Sequence, residues 1–181
     1  MDSYKDKSLK PDDVLKMEKP TNEFLVELKD NEYGIRFIGF KIRDIDQGDT
    51  FHEFKAQNIY DLDYFADHEL NYTFPQKMLT AKTIGTNLTF VVGDKEVKNL
   101  DFIERHYVDD QLMANYAFKF PFFMPNTENN IEFIYPIPNL SEQAKAKIKN
   151  KEDVFAKSDT FIFVNQKLII HRRANYQYID Y

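Results

Sequence analysis

Glu104 and His106 have the strongest claim to chemistry in this sequence. They stand two apart in "IERHY", so an extended strand presents both on one face and turns Arg105 and Tyr107 to the other. A carboxylate beside an imidazole can hold a metal or move a proton. A zinc centre needs three or four ligands, and the remaining histidines, His52, His68 and His171, fall into no ligand spacing. A catalytic Glu-His pair needs a nucleophile or an activated water, and no motif supplies one. Two readings are left open. One is a hydrogen-bonded polar pair inside or beside the core; the other is a polar patch at the mouth of a pocket that recognises a ligand's head group.

Other chemistries have less to stand on. There is no cysteine, which excludes a disulfide framework, a thiolate nucleophile and a Cys-based metal site. With five glycines in all, no glycine-rich phosphate loop occurs. The acid pairs Asp44 with Asp46 and Asp109 with Asp110 read as solvated loop ends, and a calcium loop needs denser oxygen ligands. No enzyme activity, metal or cofactor is expected.

Aromatic rings are the other unusual resource. In "NYAFKFPFF" (115–123) strand alternation puts Tyr116, Phe118, Phe120 and Phe122 on one side. Phe37, Phe40, Tyr72, Phe90, Tyr135, Phe161 and Phe163 add to them. Such rows fit an ordinary sandwich core, or they line a greasy slot between two sheets.

The elements that position these groups are mostly strands. Among 181 residues, 43% are hydrophobic and 15% aromatic, enough for one domain with a ring-rich core. The net charge of -6 argues against a nucleic-acid surface, which needs clustered Lys and Arg. No apolar run approaches a membrane span, so no stable membrane insertion is expected, and the polar start "MDSYKDKSLK" has no signal-peptide core. A cytoplasmic location follows as the expectation.

Residues 1–19 form a polar segment with a short helix in "KPDDVLKMEK", where Pro11 suits the first turn and Asp12 and Asp13 the positive end. Too short to stand alone, it should dock on the body or fray. Residues 20–181 then read as one β-sandwich of eight or nine strands. In "YGIRFIGFKIRD", Ile35 and Phe37 take one face and Ile38, Phe40 and Ile42 the other, the phase changing beside Gly39 at a bulge or close backbone contact. Leu88, Phe90 and Val92 alternate inward, and 56–69 is an acidic surface loop. "LSEQAKAKIKNKED" is the late helix, with Ser141 as N-cap. "DTFIFV", "KLIIHRR" and "NYQYIDY" close the chain as three strands, the first two joined through Asn165 and Gln166.

Longer motifs carry a resemblance. "GFKIRDIDQG", "FVVGDKEVKNLDFIERHY", "FKFPFFMPNTENNIEFIYPIP", "LSE" and "SDTFIFVNQKLIIHRRANYQY", in this order, resemble the Uncoordinated one-nineteen (retinal gene four) family. That family is a branch of the phosphodiesterase delta-subunit lipid-binding proteins, and the likeness runs from about Pro11 to Tyr178. It implies an all-β, immunoglobulin-like sandwich with a deep apolar slot between its sheets, plus the short N-terminal helix and one late helix. It also implies a function: binding the myristoylated N-terminus of client proteins, extracting them from membranes and carrying them toward the cilium or flagellum. A GTP-bound Arf-like GTPase would open the slot and release the cargo.

By the same resemblance the lipid wall falls on Phe40, Tyr72, Tyr116, Phe118, Phe120, Tyr135 and Tyr176, with Phe90 on the adjoining inward row and Met78 where the family has a Phe. Glu104 and His106 form the polar pair. Thr160 and Ile162 stand where the family reads the cargo's first residues with a Ser and a Tyr; Thr160 keeps the hydroxyl and Ile162 loses the hydrogen-bonding ring. The myristoyl group of a client is then the only ligand implied. A prenyl carrier, or a sandwich that binds unmodified partners through a sheet edge, are the alternatives.

Overall fold

The computed structural model describes residues 8–56, 69–138, 140–149 and 156–180. Their backbone makes nine strands: β1 (Arg36–Asp44), β2 (Thr50–Lys55), β3 (Glu69–Pro75), β4 (Thr83–Val91), β5 (Val97–Val108), β6 (Gln111–Phe123), β7 (Glu128–Pro136), β8 (Ala156–Val164) and β9 (Lys167–Ile179). Two helices accompany them, α1 (Pro11–Leu15) and α2 (Glu142–Lys149). The expected loop at 56–69 lies almost wholly outside the described residues.

One sheet has the order β2-β1-β4-β7 and the other β3-β9-β8-β5-β6. All pairs are antiparallel except β3 with β9. Inward side chains of both sheets meet in one core, including Phe37, Phe40, Ile42, Leu88, Phe102, Phe133, Ile162 and Ile170. This is the expected all-β, immunoglobulin-like sandwich. Most strands turn an apolar face to this core and a polar one away, while β5, β8 and β9 also carry Ile103, Phe161, Phe163 and Leu168 on the outer face.

Phase breaks redirect several rings. In β1, Phe37 pairs with Phe90 and Gly39 with Thr89, so Ile38 is the extra residue of a bulge. The bulge returns Phe40 and Ile42 to the face of Phe37, correcting the expected split between them; all three lie in the inter-sheet core. The close contact expected beside it is also present, since a Cβ on Gly39 would sit 3.0 Å from the Thr89 Cβ. On β6 the aromatic row stops at Phe120. Phe122 is 45% exposed, and Phe123 packs inward instead, 5.1 Å from the Phe90 ring. The break falls at Pro121, opposite Asn99, whose φ of 50° turns the neighbouring strand.

Two further expectations change. "KLIIHRR" and "NYQYIDY" are a single strand, β9, because Ile170, Arg172, Ala174 and Tyr176 keep one inward alternation through the polar middle. Asp44 is not a solvated loop end. It is 6% exposed, and its Oδ1 accepts from the backbone N–H groups of Asp46 and Gln47 at 2.8 and 3.0 Å, closing the β1–β2 turn. Asp109 and Asp110 are the exposed turn between β5 and β6, as expected.

Both helices cover the sandwich. Helix α1 docks rather than frays: Leu9, Val14 and Met17 pack on Ile103, Phe161, Phe163 and Leu168, on the outer face of the five-stranded sheet. Helix α2 starts with the Ala144 N–H donating to the Ser141 hydroxyl at 3.1 Å. It brings Ile148 against Leu79 and Leu140 at one end of the sandwich.

Candidate functional site

Alternation on β5 turns Phe102, Glu104 and His106 into the space between the sheets. Register then lines up neighbours across the floor. Tyr116 of β6 lies beside Glu104, Glu104 beside Thr160 of β8, and Thr160 beside Arg172 of β9. One row beneath runs Phe118, Phe102, Ile162 and Ile170. A polar row thus crosses an otherwise apolar floor.

Two cavities lie over this floor. The first, about 100 Å³, reaches toward helix α2 and is walled by Phe40, Met78, Glu104, His106, Tyr116, Tyr135 and Tyr176 among others. The second, about 50 Å³, reaches toward the edge strand β3 and is walled by Phe40, Tyr72, Glu104, Thr160, Ile162, Arg172 and Tyr176 among others. Phe40, Thr86, Glu104 and Tyr176 belong to both walls, so these four side chains divide what is otherwise one slot.

Most of the expected site residues therefore come together: Phe40, Tyr72, Met78, Glu104, His106, Tyr116, Tyr135, Thr160, Ile162 and Tyr176 all line one cavity or both. Phe90, Phe118 and Phe120 lie outside both linings. Phe118 packs at a tilt on Phe133 with 4.4 Å between centroids, while Phe120 and Phe90 both pack on Phe123. These three fill the far end of the sandwich with rings.

The slot walls are held by their own hydrogen bonds. The Tyr135 hydroxyl lies 2.7 Å from Thr86 Oγ1 and the Tyr176 hydroxyl 2.6 Å from Ser158 Oγ. Tyr116 donates to the Pro136 carbonyl at 2.5 Å. Burial, and secondarily the charge of Glu104, pushes the Tyr116 phenol up to about 12 and holds Tyr135 and Tyr176 well above the ordinary tyrosine value. All three are neutral at physiological pH. His106 stacks on Tyr176 with 5.9 Å between centroids. Its Nε2 comes within 3.3 Å of Glu104 Oε1, but the approach is misaligned. The atom is buried without a hydrogen bond among the described residues. Ser158, the neighbouring hydroxyl, is hydrogen-bonded with the Tyr176 hydroxyl rather than with the imidazole.

No group of three or more His, Asp or Glu side chains that could hold a metal occurs among the described residues. Within the same residues no helix is long and apolar enough to cross a membrane.

Residues 29–178 match the family described as GMP-PDE, delta subunit. The chain belongs to this family. Within it, the chain groups with the Unc-119 proteins. It is 36% identical to "Protein unc-119 homolog B" of Homo sapiens, covering 94% of this chain and 72% of that protein. It is 37% identical to "Protein unc-119" of Caenorhabditis elegans (93% and 78%) and 31% identical to "Protein unc-119 homolog" of Drosophila melanogaster (94% and 73%). The delta-subunit match takes in the nine strands, save the last residue of β9, and leaves the docked N-terminal segment outside it.

Several slot residues of this Unc-119 chain went unnoticed in the sequence. Thr86 shares the inward alternation of Leu88 and Phe90, and Arg172 that of Ile170 and Ala174, so period two already pointed to both. Leu140 and Ile148 line the first cavity from the helix α2 end, which no strand pattern announces.

Proposed function

We propose that this protein is a non-catalytic lipid-binding carrier. It takes the myristoylated N-terminus of client proteins into the slot between its sheets, keeps those clients soluble away from membranes and conveys them toward the cilium or flagellum. The observation that supports this most is the pair of apolar cavities meeting at Phe40 and Tyr176, with Glu104 as the carboxylate on their shared wall.

Burying an acyl chain gains about 0.8 kcal/mol per methylene, roughly 10 kcal/mol gross for a myristoyl group. One such chain holds a protein to a bilayer only marginally, so an apolar slot competes with the membrane. Each cavity is smaller than the ~300–1,000 Å³ of an ordinary ligand pocket. Filling the slot therefore means swinging the Phe40 and Tyr176 rings and letting the flexible Met78 side chain yield. The amide end of the lipidated glycine would lie against Glu104, His106 and Thr160.

A slot that must open to fill must also open to empty. A GTP-bound Arf-like GTPase that pairs with one of the edge strands, β2, β7, β3 or β6, would favour the open arrangement and lower lipid affinity. A shift of a few kcal/mol changes occupancy by orders of magnitude.

Fluorescence polarisation tests this with one Gly-starting peptide in myristoylated, farnesylated and unmodified forms. The carrier reading expects tight binding of the myristoylated form alone, and release on adding the GTP-loaded GTPase. Tighter binding of the farnesylated form would make the protein a prenyl carrier. Binding that ignores the lipid would make it an adaptor with a filled core.

A further inference from the structure

Arg172 is an inward-facing arginine only 6% exposed, on the wall of the second cavity. It ends the polar row that begins at Tyr116 and runs through Glu104 and Thr160. Its Nη1 donates to the His171 carbonyl at 3.2 Å, and the side chain has other interactions within the protein. A guanidinium carries five N–H donors in a planar fork, so it can hold a ligand oxygen alongside such contacts.

We propose that Arg172 selects clients by an acidic side chain close to the lipidated end, binding its carboxylate while Glu104 and Thr160 take the peptide amide. The inference rests on the carrier reading and names the class of client that reading leaves open.

Three features support it. First, cation and anion are spatially ordered: Glu104 accepts N–H groups, Arg172 only donates, and Thr160 stands between them in register. A peptide lying along the row meets an acceptor first and a donor fork last. Second, the separation fits a short peptide. Neighbouring strands lie about 4.8 Å apart, so Glu104 and Arg172, two strands apart, are separated by about 10 Å. An extended ligand rises about 3.3 Å per residue, which brings the third or fourth residue to Arg172 when the first is at Glu104. Third, the cavity runs in that direction. Its lining includes Arg172 and, on the edge strand β3, Leu70.

Low dielectric around the cavity strengthens a carboxylate–guanidinium bond relative to one in water, and the planar fork adds geometric selectivity. A neutral isostere in the same place leaves the donors without that bond. The preference expected for acid over amide is about tenfold.

The test uses the full chain and two pairs of myristoylated, Gly-starting peptides. Members of one pair differ only in Asp against Asn at the third residue, and of the other at the fourth. In polarisation titrations the wild type should bind the Asp form of at least one pair about tenfold more tightly. Arg172→Gln should bind both members of that pair as the wild type binds the Asn form, and Arg172→Lys should keep part of the preference. Equal binding of Asp and Asn forms by the wild type overturns the role of Arg172, and that comparison needs no variant to fold. A preference that survives in Arg172→Gln also overturns it. If no lipidated peptide binds the wild type, the carrier reading itself falls and this inference with it.

Discussion

The Arg105 guanidinium donates to the backbone carbonyl of Val14 at 2.7 Å, joining residues 91 apart in the chain. It also donates to the Met17 carbonyl and, at 3.0 Å, to the Tyr107 hydroxyl. Arg105 is fully buried. Strand β5 therefore has a polar pair in the slot on one face and a polar clamp on the other. The clamp fastens the N-terminal segment to the back of the strand that positions Glu104 and His106.

Arg105→Leu should cost about 3 kcal/mol, since it leaves the Val14 and Met17 carbonyls and the Tyr107 hydroxyl without their donor. Denaturant melts check the size. Cleavage of residues 8–17 by a nonspecific protease should accelerate in the same variant. Unchanged protection would mean that the apolar contacts of Leu9, Val14 and Met17 hold the segment by themselves.

Tyr116→Asp puts a second carboxylate next to Glu104, its cross-strand neighbour. Like charges side by side at the cavity wall should lower myristoyl-peptide affinity by more than tenfold. Tyr116 is only half-buried, so the fold should lose no more than about 2 kcal/mol, mainly the bond to Pro136 and the ring contact with Tyr135. Unchanged affinity in the folded variant would exclude Tyr116 from the lipid site.

Glu104→Gln keeps the shape of the slot and removes its charge. Hydrogen bonds to a charged acceptor contribute about 1.5–3 kcal/mol, so affinity for a lipidated glycine amide should fall about tenfold or more. Binding of a lipid lacking the peptide amide should change far less. An equal loss for both ligands would make Glu104 a structural residue.

Alkaline pH should weaken the fold in a defined window. Ordinary tyrosine titrates near 10, whereas burial, and then Glu104, holds Tyr116 at about 12 and Tyr135 and Tyr176 well above the ordinary value. The fold keeps protons that the unfolded chain gives up, so the stabilisation is complete below about pH 10 and falls away as pH rises toward about 12. Denaturation midpoints should drop across that window. Tyr135→Phe and Tyr176→Phe together should flatten the drop. A midpoint that is steady to about pH 12 contradicts the burial of these phenols.

The β8–β9 turn places Asn165 at φ 48° and Gln166 at φ 64°. Asparagine tolerates this region, and glutamine does so at a cost. Gln166→Gly should raise stability by about 0.5–1 kcal/mol, the relief of strain exceeding glycine's entropy loss. Thermal melting checks it.

Strand alternation made the sandwich legible, because burial of one face forces period two on stretches such as "NYTF" and "IEFIYP". The same rule placed Glu104 and His106 together. Period two fails where the backbone itself changes phase. At Ile38 one extra residue shifts the register, and at Pro121, opposite the left-handed Asn99, the inward face passes from Phe120 to Phe123 while the pairing stays in register. The first shows in the hydrophobic pattern as the phase change beside Gly39, though not that it returns Phe40 to the face of Phe37; the second, which turns Phe123 inside, leaves no mark there. Polar residues misled in another way. "HRRAN" looked like a break in β9, yet Arg172 faces inward within an unbroken strand. The burial of Arg105 depends on carbonyls some ninety residues away, which local patterns do not contain. The residues proposed for the lipid wall came from family resemblance, and the structure brings most of them to one slot, whereas the dividing place of Thr86 and the position of Arg172 needed the register of neighbouring strands.

The carrier function proposed above requires an acyl chain between the two sheets. A myristoylated peptide with a photoactivatable diazirine in the middle of its acyl chain, crosslinked to the full chain and mapped by mass spectrometry, tests it most directly. The label should fall on slot residues such as Phe40, Met78, Tyr135 and Tyr176, and excess unlabelled myristoylated peptide should abolish it. Labelling confined to the outer faces, for instance at Phe122 or Met124, would contradict the account.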